Sequence, residues 1–146
     1  MMTKREEIVE AAKGWLNTPF HHEARIKKHG VDCLQLIIAC YQEAGLLPQD
    51  IDKDLYHYSF DAHLHDSQEQ YIEALETHGW TRVEKPQAGD VALYKVGKRY
   101  SHGAIVLDYP LCIHSYLKIG VCYVDASIDV ELINRDVLFF SMGDLT

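Results

Sequence analysis

The chain has 146 residues, 47% of them hydrophobic and 25% charged, which suits one soluble globular domain with its own core and excludes a disordered chain. A formal net charge of −8 leaves no basic stripe of the kind nucleic acid or an anionic membrane surface requires, so Lys27-Lys28 reads as part of a solvated loop. The first residues are polar and no apolar run reaches the length of a membrane span, so neither a signal peptide nor membrane insertion is expected, and synthesis in the cytoplasm is.

Residues 3–16 carry the pattern of an amphipathic helix. Thr3 with Glu6 forms a capping box, Ile8, Ala12 and Trp15 share a face, and Asn17-Thr18-Pro19 ends the run. Residues 20–30 are charged and histidine-rich without a clear period, as in an ordered loop. That loop leads to Gly30-Val31-Asp32-Cys33, where a second helix is predicted over 33–44. Asp32 is its N-cap and Gln35 completes an Asp-x-x-Gln start; Gly45 is the terminating residue beyond the C-cap. Cys33 thus stands first in the helix, where free N–H groups and the macrodipole favour thiolate over thiol. It is a candidate nucleophile, against the plainer reading of a packed thiol. Cys40 lies seven residues further on the same helix, roughly 10 Å along the axis, too far to pair with Cys33. Cys112 and Cys122 fall in apolar strand-like runs, and all four cysteines read as reduced thiols.

Residues 46–66 read as a long connection. His63-Leu64-His65-Asp66 within it and the earlier His21-His22 have metal-like spacing, yet neither has the further ligands of a recognised site, so no metal is expected. A short helix is predicted over 67–79, capped at Ser67 with Gln70 and stopped at Gly79. Strands then follow over 91–96, 102–107, 111–116, 121–124 and 138–140, separated by Gly, Pro and Asp. Helices first and strands after give an α+β fold, with N-terminal helices packed on a C-terminal antiparallel sheet and residues 1–146 as one domain.

A cysteine nucleophile needs a base, and the base needs an orienting partner. His102 opens an apolar strand, which suits the sheet edge, and His114 interrupts one; the two share strand parity. If the strands formed a simple tight hairpin, His114 would sit opposite about residue 106, some four residues or roughly 13 Å from His102. An offset or bulged pairing is therefore expected.

Asp32-Cys33 opening a helix, Gly89-Asp90-Val91, Ser101-His102-Gly103-Ala104-Ile105 and Ile113-His114-Ser115 occur in an order that resembles the NlpC family of cell-wall cysteine peptidases. The resemblance covers roughly residues 8–126 and implies a papain-like fold. Trp15-Leu16-Asn17-Thr18-Pro19-Phe20-His21-His22 resembles the phage-tail-associated branch. It implies a Cys33 nucleophile, a His102 base and an orienting His114. The implied substrate is a peptidoglycan stem peptide, cut after D-glutamate in bonds of the γ-D-glutamyl–diaminopimelate type. No cofactor is implied, and the implied partners are peptidoglycan and other phage tail proteins. Three positions depart from the family pattern: Leu34 and Gln35 replace a small residue and Gly, and Phe20 replaces a Tyr. Two alternatives stand beside the peptidase: a papain-like amidase or acyltransferase, and a structural or binding module with weak catalysis.

Overall fold

The computed structural model describes residues 1–55, 57, 58, 69–143 and 145. Helix α1 (Lys4–Gly14) starts at the Thr3 capping box, with Thr3 and Glu6 bonded reciprocally as the sequence predicts. A two-stranded ribbon follows, β1 (Arg25–Ile26) with β2 (Gly30–Val31), inside the segment expected to be a loop. Helix α2 (Cys33–Glu43) begins at Asp32, and beyond its C-cap Gly45 takes φ +76°, a conformation that favours glycine.

After a 3-10 turn over Ile51–Asp54 comes α3 (Gln70–Thr77). Its N-cap residue is Glu69, whose side chain makes no capping bond. The expected Ser67 cap and the His63–Asp66 run lie outside the described residues. Then come β3 (Thr81–Val83), β4 (Val91–Val96), β5 (Arg99–Asp108), β6 (Leu111–Tyr116), β7 (Gly120–Asp125) and β8 (Val137–Ser141). The sheet is six-stranded and antiparallel, in the order β3-β8-β4-β5-β6-β7. Strand β3 has no counterpart in the sequence reading. The last strand does not close the sheet at an edge but lies between β3 and β4.

The sheet separates two apolar layers. On one face α1, α2 and α3 pack onto Val91, Leu93, Ile105, Ile113 and Val121. On the other, Ala92, Tyr94, Ala104, Val106, Cys112 and Val124 bury Leu132 of the β7–β8 connection. Strict alternation along each strand produces this division. Polar ties hold α1 in place: Arg5 Nη1 lies 2.7 Å from Asp90 Oδ1 at the start of β4, and Trp15 Nε1 donates to Glu43 Oε2 of α2 at 2.6 Å.

Candidate active site

Asp32 makes the start of α2 rigid. Its Oδ1 accepts from Gln35 N at 2.9 Å, while Oδ2 accepts from Glu23 N at 2.8 Å and from the Tyr58 hydroxyl at 2.6 Å. One carboxylate thereby joins helix, loop and connection. Burial raises the Asp32 pKa, and these hydrogen bonds oppose that rise.

Cys33, half-buried, follows at the first helical position. Its thiol donates to the carbonyl of Ser101 at 3.7 Å and receives the Tyr71 hydroxyl at 4.0 Å. Ser101 is a bulge residue: Tyr94 pairs with His102 and Lys95 with Tyr100, leaving Ser101 as the extra residue of β5. The registered pairs of β5 with β6 begin at Ile105↔Ile113. Val31, just ahead of Asp32, is held to β6 by the Ser115 hydroxyl at 2.6 Å. The thiol therefore meets the backbone on either side of His102. The resemblance implies a His102 base for this thiol, yet among the described residues the Cys33 side chain bonds Ser101 O and Tyr71 Oη, and no bond to the His102 ring is seen.

The two histidines do meet. His102 Nε2 lies 2.8 Å from His114 Nδ1, with the rings edge-to-face at 4.9 Å between centroids. Strand β5 begins at Arg99, so His102 stands inside the strand and not at its start. The β5–β6 register, Ile105↔Ile113 and Val106↔Cys112, sets His114 beside Ala104 when continued one step, the offset pairing expected in place of a simple hairpin. A shift between Val106 and Asp108 makes Leu107 a second bulge residue and puts His114 on the face His102 shares with Ala104 and Val106.

No protein-family model and no curated protein sequence matches the chain. Solved structures do match it. The NlpC/p60 domain of the peptidoglycan hydrolase SagA superposes with TM-score 0.58 at 19% identity, over 94% of this chain and 98% of that one. NlpC1 from Trichomonas vaginalis gives 0.65 at 13% identity over 97% of this chain and 45% of that protein. An NlpC/p60 family protein from Bacillus cereus gives 0.62 at 18% identity, over 92% and 39%. The fold is that of an NlpC/p60 domain. This chain spans less than half of the Trichomonas and Bacillus proteins and nearly all of the SagA domain.

Within this NlpC/p60 fold, two departures at the helix head have a physical resolution. Leu34 is 3% exposed and sinks into the helix-side core, so its bulk does not narrow a cleft. The Gln35 amide is used beside Asp32, accepting Arg25 Nη1 at 2.6 Å and donating to Tyr58 Oη at 3.3 Å. Phe20 bridges Val31 as a backbone partner. The hydroxyl that Phe20 lacks has a counterpart in Tyr58, on Asp32, and another in Tyr71, on the thiol. Sequence reasoning missed both tyrosines. Tyr71 is apolar-face material of a short helix, and Tyr58 sits in an aromatic run with no period. The one available signal was Gly103: a Cβ there would collide with the Tyr71 hydroxyl and stand 2.7 Å from Ile37 Cδ1, which marks a close approach.

Electrostatics reverse one expectation. Burial and the Asp32 carboxylate push the Cys33 thiol up to about 12, against donors from Gly103, Tyr71 and Leu34 that favour thiolate. The head of the helix alone does not ionise it. Burial and the adjacent His114 hold His102 well below the ordinary histidine range, and burial does the same to His114. These shifts keep the thiol and both imidazoles neutral at rest. His22 bonds Tyr58 O at 2.8 Å, and among the described residues no group of histidine, cysteine or carboxylate side chains is arranged to hold a metal ion. No described helix is long and apolar enough to cross a membrane.

Proposed function

We propose that residues 1–146 act as one cysteine peptidase domain that hydrolyses amide bonds in peptidoglycan stem peptides, with Cys33 as nucleophile, His102 as base and His114 as the residue that orients it. The observation that carries this reading is the His102–His114 bond of 2.8 Å directly behind the strand backbone that holds the Cys33 thiol. The SagA domain, described as part of a peptidoglycan hydrolase, lends the substrate class.

In this reading the strand around Ser101 rearranges so that His102 Nδ1, which at rest lies on the other sheet face, reaches the thiol. His102 then takes the proton held at Ser101 O, and the sulfur attacks the scissile carbonyl. First-turn N–H groups of α2 stabilise the oxyanion. Collapse expels the amine, which takes the proton from His102, and leaves a thioester on Cys33. Water, deprotonated by the same imidazole, releases the acid. Because both groups rest neutral, the proton moves during attack and not before it. Cleavage after D-glutamate and a place in a phage tail are the finer parts of the proposal; the second rests on the Trp15–His22 segment.

A second reading is a binding module with weak catalysis, favoured by the thiol's bond to Ser101 O and its raised pKa. Digestion of purified peptidoglycan with wild type and Cys33→Ala, followed by mass analysis, separates the two. New stem-peptide ends made only by wild type support the peptidase. Intact stem peptides, with the protein sedimenting on the sacculi, support the module, and transfer of an acyl group to an added amine supports an acyltransferase.

A further inference from the structure

Three consecutive side chains at the start of α3 reach the strand that holds the Cys33 thiol. Glu69, at the N-cap, makes no capping bond; its carboxylate instead accepts Tyr100 N, at 3.0 and 3.3 Å to its two oxygens. Gln70 Oε1 accepts Arg99 Nη1 at 3.2 Å. These bonds tie α3 to β5 just ahead of the Ser101 bulge. Tyr71 then turns inward, 5% exposed, and its hydroxyl donates to Cys33 Sγ at 4.0 Å. Gly103 leaves the room for it: a side chain there would collide with that hydroxyl and stand 2.7 Å from Ile37 Cδ1. The helix start, the bulge and the glycine all serve one contact between phenol and sulfur.

Facing the sulfur are the Asp32 carboxylate, the Leu34 and Gly103 N–H groups, the Ser101 carbonyl and the Tyr71 hydroxyl. Burial and the carboxylate oppose a negative charge there. The Ser101 carbonyl accepts the thiol proton and has nothing to offer the ion once that proton has gone. A hydroxyl does: its bond to an ionised acceptor is shorter and stronger than its bond to a neutral one. We propose that Tyr71 is a further catalytic residue, whose hydroxyl donates to the Cys33 sulfur while that atom carries charge. The inference rests on the reading of Cys33 as the nucleophile. In acylation His102 takes the thiol proton, Tyr71 keeps its own, and the phenol–sulfur bond tightens until the sulfur's electron pair goes into the new bond to the scissile carbon. In deacylation the carbon–sulfur bond breaks and the pair returns to sulfur. The same hydroxyl then holds the thiolate until His102 gives its proton back.

The test uses the full chain with Tyr71→Phe, which removes only the hydroxyl, and with Tyr71→3-fluorotyrosine, a stronger donor of nearly the same shape. Alkylation of Cys33 by iodoacetamide at pH 7, read by peptide mapping, needs no substrate. Tyr71→Phe is expected to cut the thiolate fraction roughly tenfold. The more basic thiolate regains part of that in nucleophilicity, so alkylation slows about threefold. In hydrolysis kcat falls roughly three- to tenfold with KM nearly unchanged. The fluorinated variant moves both rates the other way, which a packing role would not do. Unchanged alkylation in a folded Tyr71→Phe overturns the proposal whatever happens to kcat, and so does a fluorinated variant no faster than wild type. If wild type cleaves no peptidoglycan but the two variants still shift alkylation in opposite directions, the donor role of Tyr71 at the sulfur stands and the peptidase reading fails.

Discussion

His102 Nε2 and His114 Nδ1 lie 2.8 Å apart because β5 carries one extra residue, Leu107, before its turn. Without that bulge the two-residue turn at Tyr109-Pro110 would set His114 opposite Ile105. Cross-strand neighbours share a face, so His114 would then point into the helix-side core with Ile105. The bulge moves the register by one and returns it to the face of His102. A second bulge, at Ser101, presents the carbonyl that holds the Cys33 thiol.

Roles within the proposed triad are separable by substitution. Cys33→Ala and His102→Ala are each expected to abolish hydrolysis of peptidoglycan. His114→Ala leaves a remnant, lowered by roughly 10²- to 10⁴-fold, since an orienting group neither attacks nor carries the proton. The double change at both histidines should be hardly worse than His102→Ala alone, because residues acting as a unit are not additive. Equal and additive losses in kcat/KM would remove the assignment.

Thiol chemistry should follow the buried, neutral resting state. With the Cys33 pKa pushed up to about 12, alkylation by iodoacetamide is expected to climb steadily through pH 9, without a plateau near neutrality. Peptide mapping isolates the rate at Cys33. Fast alkylation at pH 6 would instead mean a preformed thiolate–imidazolium pair.

Gly103 allows α3 to reach the site. Gly103→Ala puts a methyl against the Tyr71 hydroxyl and 2.7 Å from Ile37 Cδ1, an overpacking expected to cost about 1–3 kcal/mol. Adding Tyr71→Phe removes the hydroxyl at the clash, so the double variant should be more stable than the sum of the two losses predicts. Simple additivity in denaturant midpoints would show that the methyl is accommodated elsewhere.

Acid should weaken the fold through the same histidines. A ring buried neutral has its folded pKa lowered, so the unfolded chain binds more protons below the unfolded value of about 6.5. Stability is therefore full above that pH and lost as pH falls towards the folded values. The slope reaches up to about 1.4 kcal/mol per pH unit for His114, which is 3% exposed. The thermal midpoint of wild type should drop between pH 7 and 5, and that of His114→Asn should drop less. Parallel curves would place the acid sensitivity in other groups.

What the sequence determined by itself is local. The Thr3 and Asp32 caps, the first position of Cys33 in α2, the stop at Gly45 and most of the strands follow from hydrogen bonding and periodicity within a few residues. The choice of His102 and His114 as candidates was legible too, from polar rings set in apolar strands. Other features depended on contacts between distant segments. The two bulges of β5 decide which face His114 takes, and a one-residue slip has no signature in an apolar run. Tyr58 and Tyr71 reach Asp32 and Cys33 from elements with no sequence link to them. The ionisation of Cys33 also reversed in the folded state: the helix terminus favours thiolate locally, but desolvation, which only packing creates, is the larger effect.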